Sequence, residues 1–196
     1  KLKKFEFSNM FSYGEDNVVD FTKLNGIVGL FAPNASGKSA LLDALAFCLF
    51  DISTRATRAN NIINKAKNNM HCKLNFEIDG TNYFIEKKGK KNLRSGHVKV
   101  DIDFWMVDEN GDTTSLNGDQ RRTTQLNIRK VIGDFEDFIL TSMSSQNDST
   151  VFINKTQKER KELLSQFMGL KIFDRLWVQA SEDIKDVNAL LTDFKK

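Results

Sequence analysis

The apolar run Ile27-Val28-Gly29-Leu30-Phe31 passes directly into Ala32-Pro33-Asn34-Ala35-Ser36-Gly37-Lys38-Ser39, and from there into Ser39 to Phe50, which is rich in Ala, Leu and Phe. A short continuous apolar run predicts a buried central strand. The following segment, apolar on most faces and made of good helix formers, predicts a helix packed under a sheet. Between them, Gly37-Lys38-Ser39 match the last three positions of the P-loop pattern in the strand–loop–helix context that the pattern requires.

Each residue type in this loop has a physical job. Backbone N–H groups from Asn34 to Ser39 can face an anion at the N-terminus of the helix, whose dipole favours negative charge there. Lys38 would neutralise the β and γ oxygens of a nucleotide, and Ser39 would offer its hydroxyl to Mg2+. The candidate ATP-binding set is Asn34, Ala35, Ser36, Gly37, Lys38, Ser39 and Ala40. Ala32 stands at the first position of the pattern, usually Gly, and Ala35 where a small glycine is common. Alanine at either site demands a negative φ or mild strain.

The rest of the chain supplies the elements around this unit. Residues 2–7 and 17–21 read as short strands. From His71 the period becomes two: Cys72, Leu74, Phe76 and Ile78 alternate with polar residues up to a hairpin signal at Asp79-Gly80. A strand at Tyr83 to Lys87 should follow, then a further alternation through Val98, Val100, Ile102, Phe104 and Met106 to Asn110-Gly111. The middle section is expected to be an antiparallel sheet. Asp119 to Ile132, ending at Gly133, reads as a helix. Thr156-Gln157-Lys158-Glu159 is a capping box for a second helix closed by Gly169. Ile184, Val187, Leu191 and Phe194 keep a spacing that could open a coiled coil.

Phe104-Trp105-Met106-Val107-Asp108-Glu109 has the form of an apolar strand followed by the acidic pair that holds magnesium in P-loop ATPases. Lys99, Asp101 and Asp103 alternate with apolar residues before it, so this strand has a solvent face and Asn110-Gly111 makes it half of a hairpin. The pair is read as a decoy.

Composition narrows the setting. Sixteen Phe and a single Pro in 196 residues argue for packed structure. Cys48 and Cys72 form neither a disulfide framework nor a metal cluster with His71 and His97, which fits a reducing, cytoplasmic compartment. No apolar run is long enough to span a membrane, so no membrane partner is expected. Residues 53–100 hold 11 Lys or Arg against 3 acidic side chains, an asymmetry that suits either a phosphate-facing surface or a solvated basic face.

Gly37-Lys38-Ser39 followed by Leu41-Leu42-Asp43-Ala44-Leu45 and Phe47-Cys48-Leu49-Phe50 resembles the start of SMC-type ATPase heads, notably the SbcC/Rad-fifty family. The resemblance spans almost the whole chain. Asn9-Met10-Phe11-Ser12-Tyr13-Gly14 is similar to the family's first loop, with Phe11 where an arginine is often found. Thr141-Ser142-Met143-Ser144-Ser145-Gln146 resembles the Q-loop, which implies that Gln146 reaches magnesium and the attacking water. Arg55 fits the spacing of a basic residue near the nucleotide phosphates, with Arg58 beside it.

The fold class implied is α/β, the N-terminal lobe of an ABC/SMC-head P-loop NTPase with an antiparallel β section. The expected division is a lobe over residues 1–170 and the start of a coiled coil over 171–196. The resemblance further implies a Mg2+-dependent ATPase in which Lys38 and Gln146 are catalytic and Ser39 and Gln146 hold the metal. Completion comes from a C-terminal half of the same head, and ATP clamps two heads as a homodimer. DNA and an SbcD-like nuclease are the implied partners. A structural SMC ATPase, an ABC transporter ATPase and a non-hydrolysing nucleotide-binding module are the alternatives.

Overall fold

The computed structural model describes residues 1–53, 59–135, 138, 142 and 155–194. Two compact units are present, Lys1–Phe135 and Glu136–Lys196.

The first unit is built on a six-stranded antiparallel sheet. Its strands are β1 (Leu2–Ser8), β2 (Asn17–Asp20), β3 (Asn69–Ile78), β4 (Thr81–Lys91), β5 (Val98–Val107) and β6 (Thr113–Ser115), in the order β2-β1-β3-β4-β5-β6. Asp79 and Gly80 both take positive φ, 49° and 83°, and this two-residue turn fixes the β3–β4 register from Ile78↔Thr81 to Asn69↔Lys90. The predicted alternation is realised: Met70, Cys72, Leu74 and Phe76 are buried while the residues between them are not. Across the sheet the same face collects Phe5, Phe7, Ile85, Val100 and Phe104.

Helix α1 (Lys38–Phe50) covers that face and is itself buried nearly all round, with Ala44, Ala46, Phe47, Cys48 and Phe50 at 0–1% exposure. Helix α2 (Arg121–Ile132) packs beside it through Thr124, Gln125 and Ile128 and stops at Gly133, whose φ is 84°.

The second unit contains α3 (Gln157–Phe167) and α4 (Lys171–Phe194). The expected capping box forms. The Thr156 amide donates to Glu159 Oε2 at 2.7 Å and the Glu159 amide to Thr156 Oγ1 at 3.4 Å. Along α4, Ile172, Phe173, Leu176, Trp177 and Ile184 are exposed apolar side chains.

One sequence expectation is corrected. Ile27–Phe31 is not a strand: no described strand pairs with it, and Ile27 and Phe31 are 105% and 94% exposed. A central strand draws its stability from ladder partners on both edges and from layers on both faces. The described strands form one open sheet with β2 and β6 at its edges, and neither edge pairs with residues 27–31.

Candidate nucleotide-binding site

Gly37 is the N-cap of α1, with φ 96°. The helix begins at Lys38, as the loop pattern requires, and no acidic side chain occupies its first turn to compete for an anion. The Lys38 ammonium folds back over the loop and donates to the carbonyls of Ala32 and Pro33 at 2.6 and 2.7 Å. The Ser36 amide donates to Pro33 O at 3.4 Å. Asn34, Ala35, Ser36 and Ser39 are exposed around this turn, and Ala40 is buried behind it.

Ala35 takes φ 63°, so of the two alanine departures this one carries the strain, at a cost of about 1–2 kcal/mol for an L side chain in the left-handed region. Ala32 has no positive φ. The donor set of backbone amides, one ammonium and one hydroxyl at a helix N-terminus fits a polyphosphate with its magnesium ion. Among the described residues no cluster of His, Cys, Asp and Glu could hold a metal without such a phosphate.

Sequence reasoning did not identify how the other end of α1 is held. Lys87, on β4 in the inward register of Ile85, is 1% exposed, and its ammonium donates to the Phe47 carbonyl at 2.8 Å. It also reaches Gln125 Oε1 at 3.2 Å and Asp51 Oδ1 at 3.3 Å. Gln125 Nε2 donates in turn to Leu49 O at 2.8 Å, and Arg121 pairs with the second oxygen of Asp51. A cation therefore sits at the C-terminus of the phosphate-loop helix, where the dipole favours it. Burial by itself raises the Asp51 carboxyl, but the charge of Lys87 and the hydrogen bond and charge of Arg121 outweigh it and hold the group below its ordinary value. The signal available in sequence was a lysine at an inward position of an alternating strand.

Beside this network lies a cleft of about 550 Å³ lined by Phe50, Asp51, Ile52, Arg121, Gln125 and Arg129, among others. It belongs to the far end of α1, about 20 Å from the loop by helix length.

The decoy pair behaves as a turn. Asp108 Oδ1 accepts from the amides of Asn110 and Asp112, both at 2.9 Å, and β5 pairs antiparallel with both β4 and β6. Part of the basic charge of residues 53–100 is paired locally. Lys88 pairs with Glu86, Lys99 with Asp101 and Lys67 with Glu15, while Lys87 is buried. Gln146, Arg55 and Arg58 lie outside the described residues. No described helix is long and apolar enough to cross a membrane.

Comparison with known proteins places this geometry. Residues 4–196 match the AAA_23 family, described as an AAA domain. The chain is 38% identical over 197 residues to an uncharacterized protein, R555, of Acanthamoeba polyphaga mimivirus, covering 97% of the chain and 14% of that protein. It is 27% identical to the SbcC component of the SbcCD nuclease of Deinococcus radiodurans, covering 86% of the chain and 18% of the relative. The chain thus spans less than a fifth of the length of either relative. Among solved structures, the Smc head domain with a coiled coil and joint from Pyrococcus yayanosii superposes with a TM-score of 0.64 at 23% identity, over 98% of this chain and 37% of that one.

Proposed function

The chain belongs to the AAA domain family and has the fold of an SMC-type P-loop ATPase head, and from that premise we propose that it is the ATP-binding half of an SbcC/Rad50-like ATPase. Asn34 to Ala40 hold the phosphates of ATP, with Lys38 as the charge-neutralising group and Ser39 as a ligand to Mg2+. The bound nucleotide supplies the phosphoanhydride and the metal its Lewis acidity. The loop's own part is to orient the phosphates with amides and an ammonium. Gln146 and Arg55 complete the set by resemblance, as a metal-reaching amide and a phosphate-facing cation.

The observation that carries this reading is the pairing of a formed phosphate loop with an uncovered apolar run immediately before it. Ile27–Phe31 has the composition of a central strand and is exposed, which supports a reading in which a C-terminal half of the same head supplies the missing ladders. ATP then clamps two such heads together and regulates DNA-end processing by a partner nuclease. The division into a lobe over 1–170 and a coiled-coil root over 171–196 belongs to the same proposal, and the exposed apolar side chains of α4 support it.

The test is ATP turnover and ATP-dependent dimerisation of residues 1–196 co-expressed with the C-terminal half, beside Lys38→Ala and Gln146→Ala. Turnover and dimerisation that require both halves and Lys38 are expected. Efficient hydrolysis by residues 1–196 alone overturns the split-head reading and returns Asp108 and Glu109 to consideration. A chromosome-organising Smc ATPase shares the same fold. Recovery of an active nuclease with the assembled protein separates the repair reading from it.

A further inference from the structure

The loop between β1 and β2 is strained and heavily tied down, yet nucleotide binding as described gives it no role. Asn9 and Phe11 both take left-handed φ, 56° and 52°, and for a bulky residue such as Phe11 this is an outlier that the surroundings must impose. Those surroundings are visible. The Phe11 amide donates to Ile62 O at 2.6 Å, the Asn64 amide to Asn9 O at 2.9 Å, and Asn64 Nδ2 to the Tyr13 carbonyl at 3.0 Å. The Tyr13 ring stands edge-on against the buried Phe7, centroids 5.0 Å apart at 79°. The loop is thereby locked to the core on one side.

On its other side it meets the phosphate loop. Tyr13 Oη donates to the Gly37 carbonyl at 3.1 Å. A Cβ on Gly37 would come within 2.8 Å of Ser12 Oγ and 3.4 Å of the Tyr13 ring, so the first loop lies directly against the N-cap of α1. The Gly37 carbonyl also accepts the first helical bond, from the Leu41 amide at 3.2 Å, and both of its acceptor positions are used. Because the peptide unit is planar and trans, fixing that oxygen fixes the Lys38 N–H on the opposite side. That amide is one of the helix's unsatisfied donors, and the phosphate-binding role assigns it to the nucleotide.

We propose that Tyr13 is a positioning residue for the phosphate loop: its hydroxyl, anchored through a strained and pinned loop, sets the Gly37–Lys38 peptide in its phosphate-binding orientation. This rests on the nucleotide-binding reading of the loop. Tyr13 does not touch the nucleotide. It acts through the carbonyl of Gly37.

The experiment uses residues 1–196 reconstituted with the C-terminal half and measures the affinity of Mg·mant-ATP for wild type, Tyr13→Phe and Lys38→Ala. Tyr13→Phe keeps the ring on Phe7 and removes one hydrogen bond, so binding should weaken about 3- to 10-fold while the melting temperature falls by no more than about 2–4 °C. A merely structural role lowers the melting temperature and leaves the affinity of the folded protein unchanged. The sequence has two tyrosines. Incorporating 3-fluorotyrosine into the chain in a Tyr83→Phe background leaves Tyr13 as its single fluorine label, whose resonance should move on adding Mg·ATP and stay fixed in Lys38→Ala. Affinity of Tyr13→Phe within 1.5-fold of wild type, or a fluorine resonance unmoved by ATP binding, overturns the proposal. Failure of wild type to bind ATP, or equal binding by Lys38→Ala, instead overturns the nucleotide reading beneath it.

Discussion

Lys87→Met should cost about 3 kcal/mol of stability, and the figure can be worked from its contacts. The substitution keeps most of the stem volume and removes the ammonium. Gln125 Oε1 then loses its donor at a place where Lys87 itself is 1% exposed, and a buried unsatisfied acceptor costs about 1–3 kcal/mol, while the Phe47 carbonyl gives up a charged donor but keeps the Asp51 amide at 3.0 Å. Breaking a buried ion pair costs about 3–5 kcal/mol when the surviving charge is stranded. Asp51 is not stranded, because Arg121 holds its other oxygen and its side chain is 23% exposed, which selects the lower end of that range. Against a total of about 5–15 kcal/mol, the loss corresponds to a fall in Tm of about 6–12 °C for a protein of this size.

Urea unfolding of the purified chain followed by far-ultraviolet circular dichroism measures it, with an unchanged slope as the check on two-state behaviour. The difference should also depend on pH. Asp51 has a lowered folded pKa, so its contribution is present above the ordinary aspartate value of about 3.9 and is lost as pH falls through the lowered one. The gap between wild type and Lys87→Met should therefore be widest near neutrality and shrink below about pH 4. A loss under 1 kcal/mol at pH 7, or a gap that widens in acid, refutes the argument that this cation anchors the C-terminus of α1.

Three further outcomes follow from single residues. Ala35→Gly relieves a φ of 63° while adding chain entropy, so the net effect should lie between zero and about 1 kcal/mol stabilising, and a destabilisation beyond 1 kcal/mol in the same urea assay contradicts the strain. Cys48 and Cys72 are 0% and 1% exposed, and the Cys72 thiol is pushed well up by its hydrogen bond with Cys48 and by burial, so neither should react with a disulfide reagent at pH 8 until urea releases both. Phe31→Asp, at a side chain 94% exposed, should leave the melting temperature of the isolated chain within about 1–2 °C yet prevent co-purification with the C-terminal half. Retained co-purification removes the run from the proposed interface.

What was legible in the sequence divides by the range of the interaction. The β3–β4 hairpin was readable because its turn chemistry, Asp79-Gly80, and both alternating strands lie within about twenty residues. The capping box at Thr156 and Glu159 was readable for the same reason. Lys87 was half readable: the alternation that places Ile85 inward also places Lys87 inward, but nothing local says that Phe47, Asp51 and Gln125 wait for it there. Tyr13 was not readable, since its contact with Gly37 depends on the fold bringing two loops together across 24 positions.

Ile27–Phe31 marks the limit most clearly. An apolar run states what environment its residues need and does not state who provides it. The reading of a buried central strand was sound as a statement of need, because apolar surface this contiguous is rarely left to water, and it failed as a statement about these residues because no described strand pairs with them. The phosphate loop escapes that dependence. Its turn, its glycine and the helix that carries it are all contiguous between Ala32 and Phe50, so it forms although the segment before it is unpaired. Binding chemistry built from one stretch of chain can therefore be present where the chemistry that needs a second stretch is not. This is the physical basis for expecting Lys38 to matter to both affinity and turnover, and the C-terminal half to matter chiefly to turnover.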